Sequence, residues 1–164
     1  MILDYLKKHA EKAYREITKI ITSPVFLFSN DPKLIGIEES HNFIYIHGFN
    51  RLIKKDRVPS DKLLEAFSFL EKEVELYLKK HYTDKEFVFH LSADALAPTF
   101  IITLASYYED TSVVEQSIPL FELIEWYKEN ACFNGLQIIE NKTNDKNIEA
   151  ESDSVRTYVK IIRT

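Results

Sequence analysis

An α+β fold, a mostly antiparallel sheet with three packed helices, is what this 164-residue sequence predicts. Three observations carry that expectation. Segments with a 3.6-residue apolar period alternate with short segments that are β-rich or alternate in polarity. The links between neighbouring strand-like segments are too short for a crossover helix, which favours antiparallel pairing. The length suits a single domain spanning 1–164, and the 45% apolar content supplies a core that needs neither disulfide nor metal.

The elements follow in order. Residues 2–22 read as one amphipathic helix. Leu3, Leu6, Ala10, Ala13, Tyr14, Ile17, Ile20 and Ile21 recur at helical spacing, with Lys7, Lys8, Glu11, Arg15 and Lys19 on the other side. Pro24 ends it. Residues 25–28 form a short apolar strand, and Asn30, Asp31 and Pro32 supply a turn. Residues 34–38 read as a second strand with Gly36 as a bulge. Residues 42–47 form a third, with Phe43, Tyr45 and His47 on one face and Ile44 and Ile46 on the other.

A second helix starts after Pro59 and Ser60, its apolar face running from Leu63 through Phe67, Leu70 and Val74 to Leu78 and His81. Asp61 near its start and Lys79 and Lys80 near its end complement the helix dipole. Residues 87–92 and 100–107 form an antiparallel pair across a link containing Pro98. A third helix covers 117–131. Ser112 and Glu115 have capping-box spacing, but a later start with Pro119 in the first turn suits proline better. Residues 136–141 and 155–162 form a last strand pair, joined by a mobile loop at 142–154 in which Ile148 and Ala150 alone are apolar.

The resulting order is α-β-β-β-α-β-β-α-β-β. Its first eight elements resemble, in order alone and through no sequence motif, the bacterial type III secretion chaperones. That resemblance implies an effector-binding protein that pairs as a homodimer through a strand or helix face.

Composition narrows the chemistry. Cys132 is the single cysteine, so neither an internal disulfide nor a thiolate zinc cage can form. A buried structural thiol in a reducing, cytoplasmic compartment is the expectation. No apolar run has the form of a signal peptide or the length of a membrane span. Gly36, Gly48 and Gly135 are the only glycines and lie too far apart for a dinucleotide or P-loop fingerprint. His9, His41, His47, His81 and His90 show no metal-ligand spacing. No metal and no cofactor is expected. Adjacent acids such as Glu38 and Glu39 would point to opposite sides of a strand and could not share a site.

Charge is unevenly spread. From Glu109 to Asp153 there are 11 acids and 3 bases, within a chain of net charge -5. An acidic stretch disfavours nucleic acid and suits a basic protein partner.

Two sets of residues could carry function. If the strands bearing His47 and His90 pair, the imidazoles could meet, with Asp94 orienting one and Tyr45 donating a proton; that would make a small enzyme or ligand sensor. The second set lies on the third helix. With Ile124 at the centre of its apolar face, Leu120, Phe121, Tyr127 and Ala131 flank it. Trp126, the only tryptophan, then points away from the core beside Glu122, Glu125 and Glu129. An indole among acids suits a basic partner, the charge speeding encounter and the ring supplying buried area. Alternatively, the C-terminal strands or the 142–154 loop cover Trp126 as a second layer.

The sequence therefore favours a non-enzymatic protein-binding module over an enzyme. Within that class the expectation is a small acidic inhibitor, such as a bacterial immunity protein that neutralises a basic toxin, for instance a nuclease. Trp126, Glu122, Glu125 and Glu129 are the expected partner-binding residues.

Overall fold

The structure, a computed structural model, describes residues 1–108, 117–131 and 154–164. Among these, six helices and four strands make an α+β fold. The helices are α1 (Ile2–His9), α2 (Glu11–Thr22), α3 (Ile35–His41), α4 (Asn50–Lys54), α5 (Ser60–His81) and α6 (Leu120–Asn130). The strands β1 (Phe43–Ile46), β2 (Glu86–Asp94), β3 (Thr99–Ser106) and β4 (Val155–Arg163) form one antiparallel sheet in the order β1-β3-β2-β4.

The centre of the sheet is the β2–β3 hairpin, and its turn is set by one side chain. The Asp94 carboxylate accepts from the backbone N–H groups of Leu96 and Ala97 at 2.9 and 3.2 Å, so the turn stays ordered. Alternation then decides which side of the sheet is buried. Phe87, Phe89 and Leu91 of β2 and Phe100, Ile102 and Leu104 of β3 project to one side, where they meet Leu63, Phe67, Leu70 and Val74 of α5. A cluster of aromatic rings lies within that core. Phe100 lies 4.7 Å from Phe67 and 4.4 Å from Tyr127 between ring centroids, and Phe49 packs edge-on to Phe67. Each such ring contributes roughly 1.5–3 kcal/mol by burial.

β4 is docked by polar contacts as well. The Tyr158 hydroxyl donates to Glu71 at 2.7 Å, and Lys160 reaches Glu71 and Glu75 at 3.4 and 3.2 Å. Burial, and then the Glu71 bond, hold the Tyr158 phenol above its usual range.

Several elements differ from expectation, each for a local reason. The 2–22 helix breaks at Ala10, whose φ of -146° leaves the helical region. The break lets Ile2 and Leu6 of α1 and Ala13, Ile17 and Ile20 of α2 all reach the core. Residues 25–28 are not a strand of the sheet. The Asn42 side chain serves as their backbone partner, accepting from Leu27 N–H and donating to Leu27 O, both at 2.8 Å. Residues 34–38 are helical instead of extended. Asp31 accepts from Lys33 N–H at 3.0 Å, Pro32 opens a short 3-10 turn, and α3 continues it.

α3 places Glu38, 2% exposed, where it accepts from the N–H and hydroxyl of Ser106 at 2.8 and 2.9 Å and from Ser29 N–H. These three donors make burial of a carboxylate tolerable. α4 fills a stretch where no element was expected. At α6, Pro119 is the N-cap and not a first-turn residue. β4 pairs with β2. The strand expected at 136–141, Cys132 and the loop residues 142–153 lie outside the described residues.

Candidate functional site

The alternative histidine pair does not assemble. β1 and β2 are separated by β3, so His47 and His90 sit two strands and four residues apart. Sheet spacing makes that roughly 15 Å. Asp94 is occupied by its own turn, and it also accepts from the Ser154 hydroxyl at 3.4 Å. His47 stacks on Tyr45 at 5.4 Å, with Nδ1 3.3 Å from the Thr99 hydroxyl. Tyr45 is 50% exposed on the edge strand, in an edge-on contact with Phe43.

His90 stands on the sheet face opposite the core, level with Thr103 of β3 and Val159 of β4. Its Nε2 is buried and lacks a hydrogen-bond partner among the described residues. Burial pushes its imidazole below the ordinary value, towards the neutral form. Among the described residues no group of three His, Cys, Asp or Glu could hold a metal ion.

The α6 surface is better defined. Its buried residues are Leu123, Ile124 and Tyr127. The core face is therefore centred near Tyr127, some 60° from a face centred on Ile124 at about 100° per residue. Two consequences follow. Phe121, expected in the core, is 50% exposed. Trp126, expected opposite the core, lies on its flank, partly buried against the core margin. The Arg156 guanidinium of β4 lies over the indole, 4.9 Å from the ring centroid.

Glu122 and Glu129 are exposed and Glu125 is partly so. Phe121 and Glu125 are four residues apart and share one side of the helix. The glutamates thus stay outward with an aromatic ring on each flank, Phe121 open and Trp126 mostly covered. The signal for Phe121 was present in sequence: Leu123 and Tyr127, spaced by four, define the inner face better than Ile124 alone.

The core-facing side of α6 locks it in place. The Tyr127 hydroxyl donates to Asn50 Oδ1 at 3.0 Å, and Lys128 donates to the Val58 carbonyl at 2.8 Å. A rigid helix presenting acids and rings can lower the ordering cost of association.

These features define an α+β protein class: a four-stranded antiparallel sheet, helices on its buried side, and an acidic, aromatic outer helix. No family model, curated protein or solved structure matches the chain. Among the described residues, no helix is long and apolar enough to cross a membrane.

Proposed function

We propose that this chain is a protein-binding module, a small acidic inhibitor whose partner has a basic surface. A bacterial immunity protein that neutralises a basic toxin domain, such as a nuclease, is the form this reading takes. The carrying observation is Phe121, half exposed on the same outward side of α6 as Glu122, Glu125 and Glu129. Phe121 is the ring that inserts into the partner, and the glutamates meet its Lys and Arg side chains. Trp126, mostly buried with Arg156 over its ring, adds contact area at the margin of the patch.

The separation of His47, His90 and Asp94 weakens the alternative of a small enzyme using those groups. The test is a pull-down from the native cell with wild-type bait and with a Phe121→Ser, Glu125→Lys double variant. The wild type recovers a basic protein in a 1:1 complex, and the double variant, folded by circular dichroism, does not. Recovery of the same protein in equal yield by both baits defeats the proposal. A homodimer that the double substitution leaves intact, with no basic partner, would support the chaperone-like alternative instead.

A further inference from the structure

A second surface carries the opposite charge. An open groove of about 620 Å³ lies between the start of α2, the turn after β1, and α4. Four of its lining residues are basic or imidazole groups: His9, Lys12, His47 and Arg51. Their acidic neighbours are already engaged. Glu11, which also lines the groove, is ion-paired with Arg15. Glu16 accepts from the backbone N–H groups of His47 and Gly48 at 2.9 and 2.6 Å. Lys12 and Arg51, by contrast, have no ion pair or side-chain hydrogen bond among the described residues. The groove therefore holds two permanent cations without an ion pair among the described residues, with the Glu16 carboxylate, four residues from Lys12 on α2, as the nearest negative charge that no cation pairs.

The groove is also rigidly built. Gly48 lies against the α2 backbone so closely that a Cβ there would sit 2.1 Å from Ala13 N. That contact fixes the separation between the first turn of α2 and the turn leading into α4. Both imidazoles lie against tyrosine rings, His9 tilted on Tyr5 at 4.7 Å and His47 stacked on Tyr45. The positive field extends along α4: Arg51 first, then Arg57 and Lys54, hold the Lys55 ammonium below its usual range.

We propose that this groove binds a small organic phosphate monoester, with Lys12 and Arg51 on the phosphate oxygens and His9 and His47 as further donors. Two fixed positive charges match a dianion, and a guanidinium can hold two phosphate oxygens at once. The volume falls within the roughly 300–1,000 Å³ of small-molecule sites, well beyond the needs of a bare phosphate ion. Leu52 provides an apolar contact for the organic part. With glycines too sparse for a phosphate-cradling loop, side chains take over the grip. This site is independent of the α6 proposal, and either can fail alone.

The experiment is an amide chemical-shift titration of the full chain with ribose 5-phosphate, inorganic phosphate and ribose, at an ionic strength of about 0.15 M. Ribose 5-phosphate is expected to give saturable shifts at Lys12, Gly48 and Arg51, to bind more tightly than inorganic phosphate, and ribose to give none. Lys12→Gln and Arg51→Gln should each weaken binding about tenfold with unchanged thermal unfolding. Lys54→Gln, outside the groove lining but in the same field, should weaken it less than about twofold. Shifts that do not saturate, or equal losses for Lys54→Gln and Arg51→Gln, would mean diffuse attraction and overturn the proposal. Equal affinity for inorganic phosphate would overturn the organic-ester assignment.

Discussion

The α2–α4 groove and the outer side of α6 are both charged surfaces, yet they are built in different ways. The groove is shaped by backbone. Gly48 touches Ala13, Glu16 clamps two N–H groups, and the cations stand on that frame. The α6 surface is shaped by side chains on a regular helix whose inner side is buried. Backbone-built sites tolerate few changes in their frame, whereas helix faces can be rewritten residue by residue with little structural cost. The two surfaces are physically tied, since Asn50, at the groove, accepts the Tyr127 hydroxyl from α6.

That contrast can be broken, and the largest effect is expected at the frame. Gly48→Ala must push the turn away from α2, costing about 3 kcal/mol, as overpacking of a tight contact does. A urea unfolding midpoint measures it, and an unchanged midpoint would deny the close approach. Glu16→Ala removes the shared acceptor of the His47 and Gly48 N–H groups, one exposed and one part-buried, and should cost about 1 kcal/mol in the same assay.

The helix face should behave otherwise. Charge reversal at Glu122, Glu125 and Glu129 together should change stability by less than about 1 kcal/mol while abolishing capture of a basic partner. Lifting the cation from the indole, Arg156→Ala, should cost about 0.5–1 kcal/mol. Because Trp126 is the only tryptophan, its emission should shift to the red in that variant.

The smallest effect separates both surfaces from the sheet. His90 is held neutral by burial, so the unfolded chain takes up protons first on acidification. Its contribution to stability is complete above about pH 6.5 and falls as pH drops from there through the lowered folded value. His90→Val should flatten that part of the stability profile, and an unchanged slope would assign it to other groups.

Much of the fold could be read directly from residues. α5 announces itself through Leu63, Phe67, Leu70, Val74 and Leu78, and the β2–β3 hairpin through two apolar, β-rich runs joined by a short link containing Pro98. What could not be read depends on distant partners. Ile35 and Ile37 suggest a strand until Glu38 meets Ser106, a residue 68 positions away. Asn42 replaces a strand partner for Leu27 by a contact no local pattern encodes. The Ala10 break leaves two short helices that each bury their own apolar residues, and no local breaker residue marks it in the sequence.

The candidate site was half legible for a similar reason. The outward glutamates of α6 follow from composition and period. The exchange of Phe121 for Trp126 as the open ring follows from a rotation of some 60°, set by packing of Leu123 and Tyr127. Arg156 over the indole comes from β4, thirty residues on in the chain. The groove was invisible, because His9, Lys12, His47 and Arg51 share no motif and only the Gly48–Ala13 approach unites them.

The central claim is that charge is sorted into two surfaces with opposite tastes. It is tested most directly by mapping amide shifts of the labelled chain with two separate titrants, ribose 5-phosphate and a short Lys/Arg-rich peptide containing an apolar residue. The account predicts that the phosphate moves Lys12, Gly48 and Arg51, and that the peptide moves Phe121, Glu122 and Glu125. If the peptide perturbs the groove, or if both titrants move the same amides, the two-surface account is contradicted.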